Sequence, residues 1–248
     1  TIRLGSETDT DDSTGEVTSE TRDFAVSPEE LSRAAATFTG RILQKPPRVS
    51  ALKRNGRRFY EMARSGESFE PEARSVTIHE FVITEFSAPD VRFSLRCSRG
   101  TYVRSVARDL GRLLGCGGHL RELRRTSVGQ FAVEESVTLS RLGHVLGERG
   151  LPAESGPAGR IPGLCSLEEG LSFLPGFLLR DEVLRSVLDG RSPRLEDFER
   201  IDERAAGGGH VRVMSLGGEL IAIGRAPAAG SEQVVRLERV LARVRGPE

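Results

Sequence analysis

The clearest periodicity in the chain follows Gly100. Val103, Val106, Ala107, Leu110, Leu113 and Leu114 recur at helical spacing and Gly115 stops the run, with Arg104, Arg108 and Arg112 sharing the opposite face. Just before it, Val91 to Cys97 alternates apolar and polar with period two, and Val76 to Phe86 is rich in β-forming residues. Together they predict a hairpin across Ala88-Pro89-Asp90. Ser27-Pro28-Glu29-Glu30 supplies an N-cap hydroxyl, a first-turn proline and a glutamate three residues after the cap. It predicts a helix from Pro28 to about Phe38 that stops at Gly40. Gln44 to Lys53 contains Pro46 and Pro47 and reads as an extended loop, followed by a short helix at Phe59 to Arg64. Glu148 to Gly163 turns to Gly, Pro and Ala, the composition of a linker. Beyond it, Asp181 to Leu188 predicts a short helix closed by Gly190. His210 to Met214 and Glu219 to Ile223 predict a hairpin across Gly217-Gly218, and Val234 to Leu241 a last strand, so a small β-rich C-terminal domain is expected.

Composition narrows the class. With 37% apolar and 29% charged residues over 248 positions, the chain reads as an ordinary soluble globular protein of one large or two modest domains. No apolar run approaches the roughly 18 residues of a membrane span, so no membrane partner is expected. Cys97, Cys116 and Cys165 lie too far apart for C-x-x-C chemistry, and a reducing, cytoplasmic setting is expected. The formal net charge is zero, yet it is unevenly spread. Residues 1–40 carry −6, residues 41–64 carry +7, and residues 99–125 carry +5, while only Lys45 and Lys53 among the 36 basic residues are lysines. Two basic blocks are hidden in the neutral total.

Most catalytic templates fail. The run Asp9 to Glu16 has Thr14 where a calcium loop requires glycine, and reads as a solvated turn between strands with nothing apolar nearby to raise a carboxyl pKa. The four histidines share no metal spacing, there is no G-x-S-x-G, and Gly115-Cys116-Gly117-Gly118 lacks the ending of a phosphate loop. More informative is Cys97-Ser98-Arg99-Gly100-Thr101-Tyr102-Val103-Arg104, a strand-to-helix switch. It delivers one of two tyrosines and an arginine to a helix N-terminus, where a ring can stack on a base and arginine can hold carboxylate or phosphate. The plainer alternative is a core-capping tyrosine beside a wet arginine face.

Several clusters carry a resemblance. Arg3-Leu4-Gly5-Ser6-Glu7-Thr8-Asp9-Thr10-Asp11, the loop Gln44 to Lys53 with Gly56 and Tyr60 to Gly66, Glu72 to Ile78, and Cys97 through Gly115-Cys116-Gly117-Gly118-His119-Leu120 to Thr126 are similar in order and spacing to bacterial tRNA pseudouridine-55 synthases of the TruB type. The likeness is near continuous over residues 1–142. Val211 to Met214 with Gly218 to Gly224 resembles, more weakly, the PUA-like RNA-binding domain that often ends these enzymes.

The resemblance implies a mixed, largely antiparallel α+β synthase sheet with flanking helices, plus a small PUA-like β-domain. The expected bounds are residues 1–147 for the catalytic domain, 148–168 for a linker and 169–248 for the PUA-like domain. It implies isomerisation of the T-loop uridine of tRNA, bound as a T-arm stem-loop by a monomer, with no cofactor and no metal. Tyr102 is then the ring that holds the uracil, Leu123 lies against the base, and Arg104 pairs with the catalytic aspartate. Lys45, Arg48, Lys53, Arg57 and Arg58 belong to the loop that closes over the RNA. The family's catalytic aspartate stands in a G-x-L-D-P element upstream of the Arg3 stretch, and none of the acids present matches it. The sequence begins at Thr1 inside a strand-like pattern and reads as N-terminally truncated, so no nucleophile is assigned and the chain as given is expected to be inactive. The competing classes are a non-catalytic tRNA-binding or RNA-chaperone protein on the same fold and a structural subunit that uses the basic loop to bind a protein.

Overall fold

The computed structural model describes residues 1–149, 163–228, 230 and 232–241. The chain divides into two compact units, Thr1–Arg125 and Thr126–Glu248. The fold is mixed α+β with largely antiparallel sheets, as the resemblance implies.

In the first unit the elements run β1 (Ile2–Leu4), β2 (Ser6–Thr8), β3 (Val17–Glu20), α1 (Pro28–Ala36), β4 (Gly40–Gln44), β5 (Lys53–Arg54), β6 (Arg57–Arg58), α2 (Phe59–Arg64), β7 (Arg74–Ser87), β8 (Asp90–Cys97), α3 (Val103–Leu113) and β9 (Gly118–Leu120). Five strands form one sheet in the order β4-β7-β8-β1-β9, with every neighbouring pair antiparallel. Its core joins Ile2, Leu4, Ile78, Val91 and Leu120 of the sheet to Leu31 of α1 and to Val106 and Leu110 of α3, all fully or almost fully buried. Helix α1 starts as predicted: the Ser27 hydroxyl accepts from the Glu30 amide, and the Glu30 carboxylate accepts from the Ser27 amide. Along β8, Val91, Phe93, Leu95 and Cys97 turn inward and Arg92, Ser94 and Arg96 outward, the predicted alternation.

The extended loop expected over Gln44 to Lys53 is replaced at both ends by strand. Gln44 is the last residue of β4, and Lys53 opens a two-stranded hairpin, β5 with β6, around Asn55 (φ 51°) and Gly56 (φ 82°). Both turn residues are left-handed, the signature of a type I′ turn, for which Asn-Gly is the favoured dipeptide.

The second unit contains β10 (Ser127–Val128), β11 (Phe131–Ala132), α4 (Leu139–Arg149), α5 (Leu167–Gly170), β12 (Gly176–Leu179), α6 (Asp181–Leu188), β13 (Phe198–Ile201), β14 (Gly209–Met214), β15 (Leu220–Ala226) and β16 (Arg236–Val240). Its five-stranded sheet has the order β13-β12-β14-β15-β16, antiparallel except for the parallel pair β12 and β14. Phe177, Leu179, Val187, Val211, Val213 and Val235 centre its core. The predicted hairpin is β14 with β15, and α6 has the predicted bounds. Most of the expected linker lies outside the described residues; α4 runs to Arg149 and α5 begins at Leu167.

Two glycines in helices make opposite predictions. A Cβ on Gly111, inside α3, would stand 2.3 Å from backbone atoms of Gly117 and Gly118, whereas one on Gly143, in α4, would meet nothing within 4 Å. Helix propensity alone favours alanine over glycine by about 1 kcal/mol. Urea denaturation should therefore show Gly143→Ala stabilised by up to that amount, and Gly111→Ala destabilised despite the same propensity gain.

Candidate functional site

Strand β8 hands over to α3 through a tight turn. Ser98 N–H donates to the Thr77 carbonyl, the Ser98 hydroxyl accepts from Thr77 N–H, and the Thr101 hydroxyl donates to the Ser98 carbonyl. Gly100 takes φ 82°, a left-handed conformation that costs glycine nothing. Tyr102 then occupies the N-cap position of α3, extended and without a side-chain cap of its own, with its ring half-buried. The position is fixed from elsewhere. The Gln44 side chain, 2% exposed, accepts from Tyr102 N–H at 2.8 Å and donates to the Tyr102 carbonyl at 3.1 Å.

Of the three arginines of α3, Arg104 and Arg108 are drawn off the wet face that their spacing allows, while Arg112 stays exposed. The turn joining β2 to β3 is the acidic run Asp9 to Glu16, and it brings carboxylates against that face. Arg112 makes a two-pronged pair with Glu7, Arg108 meets Asp11 at 2.7 Å, and Arg104 meets Asp12 at 3.1 Å. The central pair is the most buried, with the Arg108 and Asp11 side chains only 10% and 12% exposed. Arg108 also donates to Asp109 and to the Lys45 carbonyl, so its planar fork is filled on three sides. Burial pushes the Asp11 carboxyl above its ordinary value, with the Arg108 charge and hydrogen bond pulling it back. That corrects two expectations, that the acidic run is solvated and that nothing near it raises a carboxyl pKa. The desolvation comes from the helix packed over it, which lies far along the chain.

Arg104 is the hub of the candidate site. One guanidinium nitrogen donates to Asp12 and to the Thr10 carbonyl, and the other to the Val49 carbonyl. Its carboxylate partner among the described residues is thus Asp12, in the acidic run that the sequence reads as a solvated turn. Partial burial works to raise the Asp12 pKa but is outweighed by the Thr14 hydroxyl and amide, Arg104 and Thr10, so the carboxyl sits below its ordinary value. Glu7 is held low by its hydrogen bonds from Arg112.

The basic arm is exposed and partly neutralised. Lys53 and Arg54 on β5 and Arg57 and Arg58 on β6 all face solvent. Arg57 pairs with Glu67 and Lys45 with Glu70, Arg48 donates to the Glu67 carbonyl and lies 5.4 Å from the Phe69 ring centre, and Arg58 and Arg64 both lie 5.7 Å from that of Tyr60. The +7 block ends just short of the acids that temper it. These ion pairs are solvent-exposed, weak, and easily exchanged for phosphate. Leu123 follows β9 in exposed coil, 56% accessible. Sequence reading missed Gln44, Asp11, Asp12 and Glu7. Gln44 carries no local signal, and the acids pair across 92 to 105 residues. Two clefts, of about 620 and 560 Å³, lie in the second unit and include none of the sequence-predicted site residues. Among the described residues no cluster of His, Cys, Asp and Glu has the makings of a metal site, and no helix is long and apolar enough to cross a membrane.

Two predictions follow from the ladder of ion pairs. Arg108→Met should cost about 3–5 kcal/mol in urea denaturation, because Asp11 is left buried without its cation. A carboxylate whose folded pKa is depressed stabilises the fold above its unfolded value and loses that contribution as pH falls through the folded one. For Asp12 and Glu7 the window opens below their ordinary values of 3.8 and 4.5. Asp12→Asn should therefore flatten the loss of stability below pH ~4, measured as the melting temperature of the chain against pH.

Residues 1–103 match the N-terminal domain of TruB family pseudouridylate synthases, and residues 104–155 match the C-terminal domain of tRNA pseudouridylate synthase B. A tRNA pseudouridine synthase B from Burkholderia mallei (strain NCTC 10247) is 38% identical over 241 residues, which is 97% of this chain and 74% of that protein. One from Aromatoleum aromaticum is 46% identical over 189 residues, 74% of this chain and 59% of that protein. Among solved structures, a Cbf5-Nop10-Gar1 complex contains a chain of the same fold at TM-score 0.69 and 22% identity; the match covers 98% of this chain and 66% of that one, just under two thirds of its length. On the strength of these matches, the chain belongs to the TruB family of pseudouridylate synthases.

Proposed function

We propose that this chain carries the substrate-recognition elements of a tRNA pseudouridine-55 synthase, which isomerises the T-loop uridine of tRNA. The observation that carries the reading is the extent of the likeness, since a protein named tRNA pseudouridine synthase B matches over almost the whole chain. Isomerisation breaks the bond between ribose C1′ and uracil N1 and joins C1′ to C5. The proton on C5 leaves, N1 gains one, and no electron is taken up or released, so no redox cofactor enters the balance. A stacked T-loop base must first be drawn out of the loop. Tyr102, on the rigid end of β8, offers the ring for it, and Leu123 offers apolar contact. Arg104 holds a carboxylate in its ionised form, as it does Asp12. Lys45, Arg48, Lys53, Arg57 and Arg58 meet the phosphates of the T-arm, and the second unit adds a PUA-like RNA-binding domain.

None of the acids in the 248 residues stands in a G-x-L-D-P element, and we assign no nucleophile. The chain by itself is expected to bind a T-arm hairpin as a monomer without forming pseudouridine. Binding should weaken steeply with salt, and Arg57→Ala and Arg58→Ala should each reduce the slope of log K against log salt by about one. Fluorescence anisotropy of a labelled hairpin at several salt concentrations checks this. Affinity indifferent to salt would contradict the RNA reading, and pseudouridine formed by the purified 248-residue chain would contradict the expected inactivity.

A further inference from the structure

We propose that Gln44 is a positioning residue, which fixes the Tyr102 backbone, and with it the ring, from the root of the basic arm. The inference rests on the reading of Tyr102 as the ring that receives the extruded base, and it adds a residue to which no role has been assigned.

Three observations carry it. First, the N-cap position of α3 is held by a residue that cannot cap. Ser, Thr, Asp and Asn are preferred there, and giving them up typically costs about 1 kcal/mol, yet Tyr102 makes no side-chain cap bond. That local cost is intelligible where a ring is wanted at that point. Second, the backbone of Tyr102 itself is held from 58 residues away. Gln44 grips both backbone groups of Tyr102, accepting from its N–H and donating to its carbonyl, with an amide that is almost wholly buried. A buried amide so used cannot shift without leaving polar groups unpaired. Third, the grip is part of a seam. Ser105 and Arg108 both donate to the Lys45 carbonyl, and Arg104 donates to the Val49 carbonyl. The start of the segment that bears Lys45, Arg48, Lys53, Arg57 and Arg58 is thereby stitched to the first two turns of the helix that bears Tyr102 and Arg104.

The alternative is that Gln44 satisfies two buried backbone groups and nothing more. The 248-residue chain separates the two. It contains no tryptophan and two tyrosines, so in a Tyr60→Phe background Tyr102 is the sole emitter. Two T-arm hairpins serve as probes, one with uridine at the target position and one abasic there. Stacking of one base on an aromatic ring is worth about tenfold or more in affinity. The Gln44 chain should therefore prefer the uridine hairpin by that ratio. Gln44→Met, close in shape but without hydrogen bonds, should bring the ratio towards one, leave affinity for the abasic hairpin unchanged, and raise acrylamide quenching of Tyr102. Gln44→Glu keeps the acceptor for Tyr102 N–H and should fall between the two, and it serves also if the Met variant does not fold.

A purely structural Gln44 would lower both affinities together or neither, and that result overturns the proposal, as does unchanged Tyr102 quenching. If the unsubstituted chain shows no preference for uridine, the reading of Tyr102 as a base platform fails. Quenching then decides the Gln44 claim by itself, with a rise supporting it and no change overturning it.

Discussion

The buried pair of Arg108 and Asp11 is the constraint on which the first unit depends. Removing two charges from water is expensive, and the mutual attraction offsets that only when the remaining valences are filled. On the arginine side they are: Asp109 and the Lys45 carbonyl complete the guanidinium. The Asp11 backbone, turned into the left-handed region at φ 61°, places its carbonyl to accept from Leu120 N–H. A single side chain on α3 therefore ties together the β2–β3 turn, the end of β4 and, through that turn, the edge strand β9. The pairs on either side, Arg104 with Asp12 and Arg112 with Glu7, are more open to solvent and follow from the register that the central pair sets.

This geometry also resolves the neutral total. Three acids of the first 40 residues, Glu7, Asp11 and Asp12, lie against the three arginines of α3, so part of two charge blocks cancels by contact. What remains outward is the basic arm, moderated by Glu67 and Glu70. Global neutrality is compatible with an RNA-binding face because charge of opposite sign is paired locally along α3 while the basic arm faces solvent. The preference for arginine suits the interior role as well, since its fork fills several acceptors at once where lysine offers a point charge.

Sequence was informative where the signal is local. The capping box of α1, the period of two in β8, the helical face of α3 and the bounds of α6 are all set by near neighbours, and all stand in the fold. The type I′ hairpin of β5 and β6 had a local signal too, Asn55-Gly56, hidden among basic residues with no apolar alternation around it. Strands β4 and β9 are short, and their partners, β7 and β1, lie far along the chain. Of the site, Tyr102 and Arg104 were legible because a strand ends and a helix begins there. Asp11, Asp12 and Gln44 were not, since an acid in a turn and a glutamine before two prolines look solvated until a helix from elsewhere covers them.

The proposed function requires the junction of β8 and α3 to receive the target base. The most direct test is photocrosslinking of a T-arm hairpin bearing 4-thiouridine at the target position, with the attachment site mapped by mass spectrometry. A crosslink within the peptide that spans Ser98 to Arg104 is expected. Crosslinks confined to the second unit, or to the basic arm without the junction, would contradict it.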